Sequence, residues 1–397
     1  MLSSPLRLFQ AVLLYIPTTF VIPNSALIFY ALFSIIIFQP SFRNTDRLYF
    51  VFLVGVAVNS IIGILLKNQF PESLFVNNGV LGAVLLLLGY LSARTLNDKV
   101  WNFFLGFLII EIFCIYIQFG LGIRFFFPGQ EVVNMTTEFQ FTQTVDDIDL
   151  LYFIRPMGLS DTSTIAGAKI LLALILIFML PLKSNYRILL TILCIGAAIL
   201  NFKRSGLIAF GLLFLILLIL DIKRHGWKPR HNFLGLSLTI IIAGYSPQII
   251  SQFTRETAIS LEQVSASMII EQLSGRAELW SQVASFITNN LFFGNYSERL
   301  QLVTGQYAHN SYLSVLATHG IFLTVILIVF IIRKAYQKPI ILIFLLPLFA
   351  DAIFQESLFW YISAFDQFVL YLLINRAPSV YWRDPIGSVS TKLVSTN

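Results

Sequence analysis

Four basic positions and one imidazole stand out in a chain with little other polar chemistry. His309 opens "HNSYLSVLATHGIFLTVILIVFII", a run that is otherwise mostly apolar. Lys203 and Arg204 stand in "NFKRSGLIAF", a junction too short to leave the ends of its two apolar neighbours. Arg155 opens "RPMGLSDTSTIAG", and Arg276 stands at the start of "GRAELWSQVASFITNN". Guanidinium groups take phosphate oxygens in a two-pronged contact. The N–H groups of a helix start suit the same anion, although the macrodipole disfavours a cation there. An imidazole with an ordinary pKa of about 6.5 can take a proton from an attacking hydroxyl near neutral pH. Any one arginine would as readily snorkel to lipid headgroups. Several at one depth, with a histidine, favour an anion site with a general base.

Long apolar segments must position those groups. Hydrophobic residues make up 57% of the 397, charged residues 12%, and Phe occurs 38 times. Soluble domains carry about 25% charged residues, so most of this chain faces lipid or other apolar helices. Apolar runs of about 20 residues recur, each matching a hydrocarbon core of about 30 Å. The pattern predicts an all-α polytopic membrane protein. Spans are expected near 6–22, 24–39, 48–66, 79–93, 100–122, 165–182, 188–202, 206–221, 232–250, 310–332, 339–354 and 357–374, about twelve in all. The first is read as a retained helix, since no small-residue cleavage signature follows it.

With both termini in the cytoplasm, Arg43, Arg47, Arg94, Lys99, Lys183, Arg187, Lys223, Arg224, Lys228, Arg230, Arg333, Lys334 and Lys338 fall inside. Arg7, Arg376, Arg383 and Lys392 join them, so most of the 26 basic residues follow the positive-inside rule. The net charge of +6 is therefore topological and does not point to nucleic acid. Residues 1–250 hold the first nine spans with an outside loop at 123–164. Residues 251–309 form a large outside loop, 310–374 the last three spans, and 375–397 a polar cytoplasmic tail read as disordered. Within the large loop, Trp280, Val283, Ala284 and Ile287 recur at helical spacing, which predicts an amphipathic helix near 275–290. It would lie on the membrane or cap the bundle.

Outside the cytoplasmic membrane there is no nucleotide sugar, so a transferase there takes its activated group from a lipid. A polyprenyl diphosphate–linked glycan is such a donor, with its diphosphate at headgroup depth. Transfer needs the departing diphosphate neutralised and the attacking sugar hydroxyl deprotonated. The motifs "RPMGLSDTSTIAG", "NFKRSGLIAF", "SGRAELW…NNLFFGNYS" and "AHNSYLSVLATHGIF" occur in an order that resembles the O-antigen ligase and polymerase superfamily. The resemblance runs from about residue 150 to 335 and is sharpest at the His-Asn start with Gly320 beyond it. It implies a GT-C-like fold and a metal-independent transfer from undecaprenyl diphosphate to a sugar or lipid A–core acceptor. No cofactor is implied. By the same resemblance Arg204 and Arg276 hold the diphosphate and His309 is the base. Arg155 is a weaker carry-over, and Lys203 is grouped with the donor contacts. Tyr307 and Asn310 flank the imidazole, where they would hold its tautomer or bind sugar hydroxyls. In an unbroken helix Tyr312 and Gly320 share its stripe, and the glycine leaves a groove for a prenyl tail or neighbouring helix. Membrane lipid, a flippase and a chain-length regulator are the expected partners.

Other ionisable residues read as structural. Asp147 and Asp149 form an Asp-x-Asp pair able to bind a metal, but a solvated acidic loop is the plainer reading. Glu111, Asp351 and Asp366 fall within spans, where a charge is suspect by default. Glu111 shows no obvious basic partner, Asp351 is near enough to an end to reach water, and Asp366 suits a bond to another helix. His319 suits an interhelical hydrogen bond. His225 and His231 read as surface residues, and Cys114 and Cys194 as small hydrophobes. A polymerase of lipid-linked repeat units is the favoured function, since size and a divergent N-terminal half are commoner there. A ligase to lipid A–core uses the same chemistry. A transporter or flippase would spread its charges through the midplane and ranks lower. Cysteines placed at 203 and 204 should react with an impermeant thiol reagent in intact spheroplasts. Labelling only after lysis would overturn the orientation.

Overall fold

A computed structural model describes residues 3–19, 24–41, 46–67, 80–123, 156–160, 162–201, 204–225, 276–302, 307–337, 340–359 and 362–375. In chain order the helices are α1 (Ser3–Tyr15), α2 (Asn24–Phe38), α3 (Arg47–Lys67), α4 (Val80–Ala93), α5 (Asp98–Leu121) and α6 (Ser163–Met179). They continue with α7 (Ser184–Asn201), α8 (Arg204–His225), α9 (Arg276–Asn289), α10 (Ser311–Gln337), α11 (Ile340–Phe354) and α12 (Ala364–Ile374). A 3₁₀ turn, Ile16–Thr18, follows α1, and no strand occurs among the described residues. The fold is that of an all-helical, polytopic membrane protein. Four described helices are long and apolar enough to cross a membrane: Arg47–Leu66, Asp98–Leu121, Ser184–Asn201 and Ser311–Gln337.

A helix stands at each expected span except 232–250, which lies outside the described residues. The last span is shorter than expected. It starts at Ala364, while Gln355 O and Leu358 N bond the Ser311 hydroxyl at the start of α10. Local chemistry sets the other boundaries. Asn97 caps α5 by accepting from Lys99 N and Val100 N, and Gly122 ends it in the left-handed conformation. Thr162 caps α6, its side chain accepting from Ile165 N.

At the centre is α6, which packs against α5, α7, α8 and α11. Leu171 through Ile177 are all 0% exposed, so the helix is buried all round. The outer helices instead show apolar side chains outward, such as Ile188 and Ile192 on α7 and Leu65 on α3. In a bilayer those faces meet lipid.

Side-chain bonds identify the two ends of the bundle. At one, Lys334 pairs with Asp46 at 2.7 Å, tying the end of α10 to the start of α3. Asp46 N donates to the Tyr90 hydroxyl near the end of α4, and the Tyr371 hydroxyl donates to Asp98 at the start of α5. At the other end, Ser311 N donates to Gln355 O, joining the start of α10 to the end of α11. The far ends of α5 and α7 hold Gly158 and Pro156 there. Both descriptions follow from alternating helix directions. The Lys334 end also carries Arg47, Arg94 and Lys99, while His309 and the start of α8 lie at the opposite end.

One expectation is overturned at Gly320. The residue has φ 75° and ψ 175°, so α10 kinks and the stripe from His309 does not run on unbroken. No groove remains there. A Cβ on Gly320 would meet Phe292 O at 2.1 Å and Gly294 N at 2.8 Å. The chain itself fills the space: Asn295 N donates to Ala317 O, Ser297 N to Thr318 O, and Ile321 N to Leu291 O, each at 2.8 Å. The kink frees backbone groups, and the "NNLFFGNYS" turn satisfies them. Gly320→Ala therefore costs more than about 2 kcal/mol through strain at positive φ and the clash. Gly106→Ala on α5, where a Cβ meets nothing within 4 Å, should be neutral or stabilising. Thermal unfolding in detergent checks the pair, and equal midpoints for the two would refute the stitched kink.

Candidate functional site at the His309 end

His309 lies two residues before α10 begins and is exposed. Its φ of 48° is in the left-handed region, uncommon for a residue with a side chain. The neighbouring backbone is held from three directions. Trp280 Nε1 donates to Ala308 O at 2.9 Å from α9. Asn310 Oδ1 accepts from Tyr312 N and Leu313 N, both at 2.9 Å, and so caps α10. The Ser311 hydroxyl donates to Gln355 O at 2.7 Å and accepts from Ser357 N and Leu358 N. The imidazole is thereby presented by a fixed piece of irregular chain and not by a helix face.

The flanking residues also have structural duties. The Asn310 carboxamide oxygen serves the cap, not the imidazole. Tyr307 lies under Arg299, whose Cζ is 3.7 Å from the ring centroid, a cation–π contact. Arg299 also pairs with Glu356, and the Ser314 hydroxyl donates to the same carboxylate at 2.8 Å. That network ties the segment after α9, the first turn of α10 and the α11–α12 turn around His309. The Tyr312 hydroxyl donates to Phe349 O at 2.8 Å, fastening α10 to α11.

α9 explains how Arg276 reaches this neighbourhood. Val283 (0% exposed) and Ile287 (8%) pack with Ala308 and Ala317 in a small apolar cluster, whereas Ala284 is exposed. The helix caps the first half of α10, one of the two placements its periodicity allowed. Arg276 opens α9 four residues before Trp280, about one turn from the bond to Ala308. Its side chain, like that of Arg204, is outside the described set.

A second cluster sits at the same end. Gln118 near the end of α5 holds both polar groups of Gly158: Nε2 donates to Gly158 O at 2.7 Å, and Oε1 accepts from Gly158 N at 2.8 Å. Asn201 Nδ2 donates to Pro156 O at 2.9 Å. The turn that follows Arg155 is thus bonded to the last residue of α7, three positions before Arg204 opens α8. Arg155 and Lys203 themselves lie outside the described residues, as do Asp147, Asp149 and His231. α8 in turn packs along α11, whose end leads into Glu356. The Arg204 helix start, the Pro156 turn, Glu356, His309 and the Arg276 helix start therefore share one end of the bundle.

The remaining suspects have structural partners. Glu111 has a basic partner after all, Lys169, at 2.9 Å. Asp351 is 1% exposed and does not reach water. Asp366 accepts from Phe359 N and from the Ser363 hydroxyl, whose oxygen in turn caps α12. His319 Nδ1 lies 3.1 Å from Ser297 Oγ, which Asn59 also reaches, and its ring meets Phe52 edge-on. Its partner is a turn residue instead of a helix. Cys194 is buried among apolar neighbours, as expected.

Sequence reasoning missed Arg299, Glu356, Gln118 and Asn201. Only Gln118 and Asn201 carried a local signal, as amides inside the apolar ends of spans. Two variants separate the held backbone from the imidazole. Asn310→Ala should cost about 1 kcal/mol by removing the cap, whereas His309→Gly should unfold at the same temperature or higher, since glycine accepts the left-handed conformation. A large loss of stability in His309→Gly would mean that the imidazole is itself structural.

Residues 189–328 match the family model described as O-antigen ligase. No curated protein and no solved structure matches the chain. The matched stretch includes the Arg204 helix start, all of α9 with Arg276, and the His309 turn. That stretch, about a third of the chain, is what is similar to the O-antigen ligase family.

Proposed function

We propose that this protein is a glycosyltransferase polymerising undecaprenyl diphosphate–linked repeat units at the outer face of the bacterial cytoplasmic membrane. The observation that supports it best is the shared location. Two arginines that open helices and an exposed histidine on a held turn lie at one end of a bundle whose other end carries Arg47, Arg94 and Lys334. By the positive-inside rule the basic end faces the cytoplasm and the His309 end faces outward. A GT-C-like fold with about twelve spans, counting 232–250, completes the reading.

In the proposed reaction, neutral His309 accepts the proton of the acceptor hydroxyl as its oxygen bonds to the anomeric carbon. The bond from that carbon to the diphosphate oxygen breaks, and undecaprenyl diphosphate departs. Arg204 and Arg276 hold its charge, with Arg155 and Lys203 nearby in the chain. Their planar two-pronged contact is strongest as negative charge gathers on the leaving oxygen, which lowers the barrier. Tyr307 and Tyr312 offer aromatic surface to the sugars.

A ligase that delivers finished glycan to lipid A–core is the second reading, favoured by the matched family's description as O-antigen ligase. Purified protein with a lipid-linked repeat unit distinguishes the two: a ladder of lengthening products marks the polymerase, and growth only on lipid A–core marks the ligase. Transfer should survive EDTA, because arginines neutralise the leaving group. Turnover abolished by EDTA and restored by magnesium would move the chemistry to Asp147 and Asp149. His309→Ala should lose transfer by about a hundredfold or more while still binding donor. Normal polymer from a well-folded His309→Ala would remove the base from the mechanism.

A further inference from the structure

Glu111 and Lys169 form an ion pair deep in the bundle, each 1% exposed. Lys169 Nζ lies 2.9 Å from Glu111 Oε2 and 3.2 Å from Oε1, and it also donates to Thr19 Oγ1 at 3.1 Å. The Tyr15 hydroxyl donates to the carboxylate at 2.6 Å, and the Ser160 hydroxyl donates to its other oxygen. Every oxygen and the ammonium are thus engaged, as burial of charge requires.

Holding helices together does not need such a pair. Each buried ion costs several kcal/mol, and apolar residues of similar volume often serve stability as well or better. What an apolar pair cannot do is accept from Ser160. The turn from Pro156 to Ser160 lies directly on Glu111: Gly158, at φ 65°, leaves no room for a Cβ, which would meet Glu111 Cγ at 2.7 Å. From that position Gln118 clamps Gly158, and Pro156 O reaches Asn201 Nδ2 beside the Arg204 helix start.

We propose that Glu111, with its charge balanced by Lys169, is a positioning residue for the donor-binding end of the bundle. It seats the Pro156–Ser160 turn where Pro156 O takes the Asn201 side chain, three positions before Arg204 opens α8. The inference rests on the donor reading above, because the junction matters only if Arg204 meets the diphosphate.

Single replacements would leave a buried charge alone and confuse misfolding with function, so the test uses two double variants. E111L/K169M removes charge and acceptor together. E111Q/K169M removes the charge but keeps a carboxamide oxygen to accept from Ser160, while its NH2 donates to the Tyr15 hydroxyl. Both should accumulate and unfold near the wild-type temperature. In E111L/K169M the KM for lipid-linked donor should rise at least about tenfold, with kcat changed less, since a displaced binding group weakens the contact it makes. E111Q/K169M should restore KM to within a few-fold of the wild type. Amide hydrogen exchange over residues 156–160 gives a readout apart from activity: protection should fall in E111L/K169M and persist in E111Q/K169M. Unchanged protection in E111L/K169M, or lost protection with an unchanged donor KM, overturns the proposal. So does an E111Q/K169M variant as impaired as E111L/K169M. Wild-type protein that transfers nothing from the donor would instead sink the donor reading, and exchange over the turn would still decide whether Glu111 seats it.

Discussion

In a bilayer, backbone that is neither helix nor closed sheet must find its hydrogen bonds within the protein. The His309 end of this bundle is built around that constraint. Three irregular pieces belong to that half of the bundle: the Pro156–Ser160 turn, the turn after α9, and the segment from Tyr307 to Asn310. Each is met by side chains or by carbonyls that a kink has released. Gln118 and Asn201 serve the first, the break at Gly320 the second, and Trp280, Ser311 and Asn310 the third. Among the described residues, the Lys334 end has no comparable need. Its described turns are short, and an ion pair and a few hydroxyls close them.

Satisfying those pieces also fixes where charge can stand. A helix start offers free N–H groups and the positive end of a dipole, so an arginine there is disfavoured unless an anion joins it. Arg204 and Arg276 both open helices. Under the donor reading proposed above, a bound diphosphate would offset the cost of that placement. Glu356 and Arg299 meet the opposite requirement. They neutralise each other beside Tyr307, so the permanent network around His309 brings little net charge to the imidazole.

Much of this was legible in the sequence, and the remainder failed for identifiable reasons. Helices in an apolar chain announce themselves by run length, so the spans and the amphipathic α9 were readable, as were the motifs on the matched domain. Pairing between helices was not. Glu111 stands in one apolar run and Lys169 in the next, and either alone is only a suspect charge; their meeting depends on rotation about two helix axes that no periodicity reports. Gly320 failed differently. An eleven-residue spacing puts two positions on one face only if every residue between them is helical, and a glycine is the residue that allows the break. Arg299 and Glu356 lie 57 positions apart in turns, where no pattern constrains contacts.

The placement of His309 off the helix has a physical consequence. A side chain on the first turn of α10 would point back along the helix and pack against its neighbours. Two residues earlier, with φ 48°, the chain projects the imidazole outward from a backbone that Trp280 and Ser311 hold in place. Strain of about 1–3 kcal/mol persists only where surrounding structure over-determines it, and here three elements do so. Asparagine or glycine would accept that conformation with less strain. The backbone gives no reason for a histidine at this position, and the proposed proton transfer is a role that imidazole is suited to perform.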